Sequence, residues 1–334
     1  MATTYGSVCS GIEAATQAWH PLGMRAAWFA EIEPFPSAVL AHHYPDTPNL
    51  GDMTHLASLV LAEKIPAPDV LVGGTPCQAF SVAGMRGGLT DPRGTLTIKY
   101  VELADAVDFV RALQRNPASV IVWENVPGVL SDKGNAFGCF LGALAGEDCE
   151  LQPPGKRWQD AGCVYGPKRT IAWRVLDAQY FGLAQRRRRV FVVASARDGF
   201  DPIEVLFERE GVRRDSPPGR PAKFALHPTL TAQGGGSLDD REAYVLEPRG
   251  VRRTSVIEWE RCQGFPDNYT QIAWRGKPAS DCPDGPRFKA IGNSKAVPVV
   301  RWIGLRIYKA LTPTSIPMSI SPNQPNGFQN SLLL

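Results

Sequence analysis

The chain lacks the marks of an exported or membrane-bound protein. Its opening residues, MATTYGSVCSG, do not pass from a charged to an apolar segment, and no stretch of the 334 residues approaches the roughly 20 apolar residues needed to span a bilayer. Cytoplasmic residence without membrane contact is the expectation. Cysteine is sparse: seven residues with no Cys-x-x-Cys pair, an odd number that fits reduced thiols better than a disulfide framework or a zinc site, so no metal is expected and one thiol is free to be a nucleophile. No repeat recurs along the chain. Charge of one sign is also scarce, with a net value of +3 that by itself proves no polyanionic partner. The arginines are unevenly placed, however, at Arg186 to Arg189, at Arg213 and Arg214, and at Arg249, Arg252 and Arg253, and local patches matter more than the sum.

What the chain does have is enough apolar material, 43%, for a full α/β core. Short apolar runs at residues 3–9, 25–31, 70–73, 120–124 and 190–194 read as strands. Amphipathic stretches at 13–19, 35–42, 100–113 and 138–144 place apolar residues three and four apart and read as helices between them. Alternation of that kind predicts an open, doubly wound α/β sheet joined by crossover helices. After residue 196 the pattern weakens into Gly, Pro and charge (DSPPGRPAK, TAQGGGSLDD), which predicts a loop-rich subdomain. Periodicity returns in AVPVVRWIGLRIYKAL, a helix whose apolar stripe must pack back on the first domain. The expected division is a catalytic domain of residues 1–196 and 284–311, a recognition subdomain of 197–283, and a disordered tail of 312–334.

The sharpest local signal is GGTPCQAFS, which follows the apolar run DVLV. Ligands of α/β sheets bind at the carboxyl ends of strands, so Cys77 stands on a turn at the expected catalytic edge. A second run, SVIVWENV, brings Glu124 and Asn125 to the same edge. The run QRRRR leads into the strand VFVVA, and a period of two sets Gln185, Arg187 and Arg189 on one face, with Arg186 and Arg188 on the other facing phosphate or solvent.

Together these segments resemble the DNA cytosine-carbon-5 methyltransferases, above all short, phage-type members. They occur in that family's order: SGIEAA, GDMT, GTPCQAFS, DPRGTL, ENVPG, QRRRR, RRTSVIEWERCQGFPDNY and KAIGNSKAVPV. The resemblance implies a Rossmann-like fold dependent on S-adenosylmethionine, double-stranded DNA as partner, a monomer, and residence in a bacterial cell or phage-infected host. It implies that Cys77 attacks carbon 6 of a flipped cytosine, that Glu124 hydrogen-bonds ring nitrogen 3 and the exocyclic amine, and that Arg189, supported by Arg187, holds the base carbonyl. Pro76, Gln78, Ser81, Asn125 and Gln185 fall to the substrate side. DPRGTL reads as a mobile lid from which Arg93 touches a phosphate. Cofactor contacts fall to Cys9, Ser10, Gly11 and Ile12 in the first loop, to Glu31 on the ribose, with Ile32, to Asp52 on the adenine amine, with Met53, and to Asn293, Ser294 and Lys295.

The sequence departs from the family's pattern in three places. Glu13 and Ala14 stand where glycines are common, which predicts a tighter, more acidic loop. Thr254, Ser255 and Val256 replace a common Leu-Thr-Pro. Lys295 replaces an apolar residue, pointing to solvent, pairing with the cofactor's ordinary carboxylate, or reading a carboxylated form of S-adenosylmethionine so that carboxymethyl is transferred, with Glu13 balancing the charge. The same residues are also compatible with an RNA cytosine methyltransferase and with a non-catalytic DNA-binding protein on the same scaffold.

Overall fold

A computed structural model describes residues 2–75, 92–208, 226–231, 244–247 and 250–312. Its centre is a seven-stranded sheet of β1 (Thr4–Val8), β2 (Arg25–Ala30), β3 (Val70–Gly73), β4 (Val120–Asn125), β5 (Ala161–Tyr165), β6 (Thr170–Asp177) and β7 (Arg188–Ser195) in the order β2-β1-β3-β4-β7-β6-β5. The first four strands pair in parallel. The last three pair antiparallel, β7 against β4 and β6, and β6 against β5. The expected α/β sheet is present, but its parallel winding covers only one half. The other half is a meander, which needs no crossover helix.

Alternate residues of the central strands feed two cores. Val70, Val72, Val120, Val122 and Val193 face one layer, while Leu71, Ile121, Trp123, Val192 and Ala194 face the other. Strands buried on both sides must be apolar throughout, which is why they show in the sequence as runs rather than alternations. The first layer includes α1 (Ala14–Trp19) and α9 (Val297–Leu311), and the second α3 (Leu56–Leu61), α4 (Pro92–Leu113) and α5 (Ala136–Ala145). The helix α2 (Pro34–His43) lies against α8 (Asp284–Asn293).

Helix α4 begins earlier than the start at residue 100 expected from periodicity. Its backbone is helical from Pro92, so the DPRGTL run, expected as a mobile lid, supplies its first turns from Pro92 onward. Proline fits there because the first turn needs no amide donor, and Thr97, Tyr100, Leu103, Ala104, Val107 and Val110 carry a buried stripe at helical spacing from there. Arg93 therefore sits on a helix; its side chain lies outside the described residues.

Beyond β7 come α6 (Pro202–Leu206), the ribbon of β8 (Tyr244–Glu247) and β9 (Gly250–Arg253), α7 (Val256–Gln263), and then α8 and α9. Phe200, Leu206, Leu230, Trp259, Phe265, Tyr269 and Ile272 join the same buried cluster as Tyr5 and Ile12. Arg213, Arg214, Arg249 and most of TLTAQGGG lie outside the described residues, as does 313–334. Among the described residues no helix is long and apolar enough to cross a membrane.

Candidate active site

At the carboxyl ends of β1 to β4 opens a cavity of about 920 Å³. One part of its wall is Cys9, Gly11, Glu31, Ile32, Asp52 and Met53; another is Glu124, Asn125, Arg187 and Arg189; and Asn293 closes it from the end of α8. Most of the residues expected to hold the cofactor thus share one space with those expected to hold the base. Ser10, Ile12, Ser294, Lys295 and Gln185 are not on that wall. Ser10 accepts from the Ala30 amide. Ile12 is fully buried, and its carbonyl accepts from the Tyr269 hydroxyl. Gln185 donates to the Cys262 carbonyl and accepts from the Leu230 amide, so this side chain ties the segment ahead of β7 to residues 230 and 262 instead of facing substrate.

Cys77, Pro76, Gln78 and Ser81 lie outside the described residues; the strand end that leads to them is described. A Cβ on Gly74 would stand 2.9 Å from the Glu124 carbonyl and 3.1 Å from Glu124 Oε2, closer than any larger residue fits. Thr75 is then pinned three ways. Its hydroxyl bonds Thr97 Oγ1 at 2.7 Å and accepts from Trp123 Nε1 at 3.1 Å, and its carbonyl accepts from Asn125 Nδ2 at 3.0 Å. Thr75 and Thr97 were not singled out from sequence; the one signal there was the adjacent glycine pair.

Glu124 is 12% exposed and faces Arg189, whose Nε is 3.3 Å from Oε1. The expected alternation shows in burial, although β7 begins only at Arg188: Gln185 and Arg187 are buried and Arg189 partly so, while Arg186 and Arg188 are exposed. Arg187 grips three carbonyls, those of Leu230, Gly292 and Ser294. Burial, followed by repulsion from Arg189, pushes its guanidinium down to about 9. Arg187, immediately ahead of β7, is thus a brace to the end of α8 as much as a wall of the cavity.

On the cofactor side both oxygens of Glu31 are met by amides, from Gly11 at 2.7 Å and Glu33 at 2.7 Å. Each oxygen keeps a second lone pair for a ligand hydroxyl. Asp52 is held below the ordinary carboxylate range by the Thr54 amide. Burial pushes the Cys9 thiol up to about 11, so Cys9 lines the cavity as a neutral thiol rather than a nucleophile. The carboxylates Glu31, Glu33 and Asp52 give this end an acidic lining suited to a sulfonium group and to ribose hydroxyls.

Glu13 does not face the cavity. It is 1% exposed with φ at 61°, and its carboxylate accepts from the hydroxyls of Ser7 and Thr16 and the Thr16 amide, capping α1. Its acidity is turned into the core, which corrects the expectation of a more acidic loop; burial raises its pKa. Lys295 lies near the end of β3. It is half-buried, with Cε 3.6 Å from the point where a Cβ on Gly74 would sit, and it makes no ion pair among the described residues.

Sequence reasoning missed the outer rim. Trp274 and Lys277 exchange backbone hydrogen bonds across a two-residue turn whose members, Arg275 and Gly276, both have positive φ. The turn brings Trp274 and Arg275 to the cavity wall, with Trp274 edge-on to Phe35 at 5.2 Å. Lys289 on α8 bonds Glu33 at 3.0 Å beside them.

The sheet and the cavity at its parallel end define an α/β methyltransferase architecture. The same fold is seen in a solved methyltransferase, Dnmt2 of S. pombe, at TM-score 0.64 and 15% identity over 92% of this chain and 98% of that one. The chain belongs to the family described as C-5 cytosine-specific DNA methylase, which matches residues 3–208 and 203–309. A relative from Escherichia phage P1, named DNA N-6-adenine-methyltransferase, is 43% identical over 92% of this chain, and the chain spans 61% of that relative's length. The type II methyltransferase M.HpaII of Haemophilus parainfluenzae is 25% identical over 92% of this chain and 90% of its own.

Proposed function

We propose that the chain transfers a methyl group from S-adenosylmethionine to carbon 5 of cytosine in double-stranded DNA. The observation that carries this reading is that Glu124 and Arg189, on paired strands, line the same cavity as Glu31 and Asp52. The residues fit the cofactor: an acidic wall for a cation and its ribose, and Asn293 at the end of α8. When bound, it supplies an electrophilic methyl group.

The chain's own residues prepare the base. Cys77 adds its thiolate to carbon 6, which makes carbon 5 nucleophilic enough to accept the methyl; loss of the carbon 5 proton then expels the thiolate. Glu124 faces nitrogen 3 and the exocyclic amine, and Arg189 binds the carbonyl, so that both read the flipped base by its polar edge. Arg187 holds Arg189's strand against residues 292–294 and so fixes the distance between base and cofactor. Residues 1–196 and 284–311 would carry the reaction, and residues 197–283 target recognition.

A second reading rests on Lys295. An ammonium beside Gly74, with no carboxylate paired to it among the described residues, favours a cofactor bearing an extra carboxylate, and then the group delivered is carboxymethyl.

One experiment covers these readings. Nucleosides of DNA modified in cells by the wild type and by Cys77→Ala are resolved by mass spectrometry. The wild type is expected to yield 5-methylcytosine and Cys77→Ala none, while Cys77→Ala keeps its affinity for S-adenosylhomocysteine in calorimetry. Carboxymethylcytosine lost in Lys295→Met would establish the second reading. N6-methyladenine alone, modified tRNA in place of DNA, or no product and no cofactor binding would overturn the proposal.

A further inference from the structure

The chain has eight tryptophans. Six of them, Trp19, Trp28, Trp123, Trp158, Trp173 and Trp259, donate their indole N–H to a carbonyl or side-chain oxygen, as buried indoles usually do. Trp302 packs on Phe181 and Arg306. Trp274 differs. Its indole N–H has no hydrogen-bond partner among the described residues, and its half-buried ring stands in the wall of the cavity.

Two neighbours hold that ring. It meets Phe35 edge-on, at an interplanar angle of 87°, and the Arg275 guanidinium lies 5.3 Å from its centroid. Phe35 belongs to the first turn of α2, just after Glu31, so the indole stands beside the segment that carries Glu31. On the same wall Ile32 is 71% exposed, a large aliphatic side chain left mostly uncovered by the protein. An uncovered isoleucine and an indole with an unused donor suit a flat ring with apolar faces and acceptor nitrogens on its edge, which is the chemistry of a purine. The Lys289–Glu33 pair on this rim is about half exposed on both sides, so water screens it and it contributes little to closing the rim.

We infer that Trp274 is a cofactor-binding residue supplied by the C-terminal part of the chain: its indole packs against the adenine of S-adenosylmethionine, and its N–H donates to an acceptor on the adenosine. The inference rests on the reading of the cavity as an S-adenosylmethionine site. It gives the rim turn a function, because the adenosine then ties the turn at Arg275 and Gly276 to the segment of Glu31 and Ile32, two parts of the chain that meet there only through Phe35 and the screened Lys289–Glu33 pair.

The test is calorimetry on the full chain, wild type, Trp274→Phe and Trp274→Ala, with three ligands. S-adenosylhomocysteine carries every part of the cofactor except the methyl group. 5′-Methylthioadenosine keeps purine and ribose and lacks the amino acid, and S-ribosylhomocysteine keeps amino acid and ribose and lacks the purine. Removing an aromatic side chain from a stacked base costs roughly 10- to 100-fold in affinity. Trp274→Ala is expected to lose that factor for the two purine ligands and to bind S-ribosylhomocysteine as the wild type does. Trp274→Phe keeps a ring and loses the donor, so it should fall about 5-fold for the purine ligands. The change in tryptophan emission that S-adenosylhomocysteine causes in the wild type should be largely absent from Trp274→Phe. Equal losses for all three ligands would mean that the indole only props the rim, and would overturn the inference. A wild type that binds the purine ligands while both variants match it overturns the inference alone. A wild type that binds neither purine ligand overturns the cofactor reading as well.

Discussion

At position 13 the backbone takes a left-handed conformation that glycine adopts freely, and the chain places a glutamate there. The strain is of order 1–2 kcal/mol, and three hydrogen bonds to Ser7 and Thr16 offset it. Two substitutions separate the terms. Glu13→Ala keeps the strain and strands buried donors, at roughly 1–3 kcal/mol for the polar groups alone. Glu13→Gly strands the same donors and relieves the strain, so it should be about 1 kcal/mol more stable than the alanine variant. Urea midpoints at equal m-values decide it; a glycine variant no better than alanine would mean that the φ at 61° is not strained. The substitution itself was visible in the sequence, but its direction was not, because a turn's sequence does not say which way a left-handed residue aims its side chain.

The elements differ in how plainly the sequence announced them. The parallel strands β1 to β4 appeared within a residue or two, since strands buried on both faces must be continuous apolar runs, and so did the helices α1, α2 and α5, whereas the short α3 did not appear at all. β5 did not, because it is the sheet's edge, with burial alternating exposed and intermediate along AGCVY. The start of α4 was hidden by Pro92 and Gly94, residues that argue against helix everywhere but in a first turn. Helix α7 was read only as a family segment with altered residues, and the alteration turns out to be its cap. Ser255 and Glu258 form a reciprocal capping box, and Arg252 forks onto Glu258 at 2.8 and 3.0 Å. The Arg252 hydrogen bonds, together with those from Ser255, hold the Glu258 carboxyl at about 2 against an ordinary 4.5. The unfolded chain then takes up the proton first on acidification. The stabilisation is complete above 4.5 and is lost as pH falls toward 2. Glu258→Gln should accordingly melt lower than the wild type near neutrality, and the gap should close across that window; a gap constant in pH would assign the effect to packing. Packing itself sets the seam of α1 and α9, where a Cβ on Gly304 would stand 2.0 Å from Trp19 Nε1. Gly304→Ala must part the helices or break the Trp19 bond to the Val300 carbonyl, at about 1–3 kcal/mol by thermal or urea unfolding.

Across the whole molecule, the cavity exists only because segments far apart in sequence meet. Its wall takes residues 9–53 from the first strands and residues 274–293 from the C-terminal part, and few direct polar ties join the two. The Tyr269 hydroxyl donates to the Ile12 carbonyl at 2.8 Å and meets the Tyr44 hydroxyl at 3.0 Å, its ring stacks on His43 at 4.1 Å, and Lys289 reaches Glu33. None of this was legible from sequence, where Tyr269 is merely the last residue of a family segment and its partner is a backbone atom. Tyr269→Phe keeps the ring and its stacking but leaves a buried carbonyl at the first loop without its donor. One neutral hydrogen bond is worth about 1 kcal/mol, so affinity for S-adenosylhomocysteine should fall roughly 5-fold if that bond sets the loop for the cofactor. A ligand that binds only the folded state stabilises it by about 2.7 kcal/mol at 100 times its dissociation constant. The variant's thermal shift at a fixed, subsaturating ligand concentration should therefore shrink along with the calorimetric affinity. If the unliganded protein loses stability while both ligand readouts stay at wild-type values, Tyr269 holds the two parts of the chain together without setting the cofactor loop.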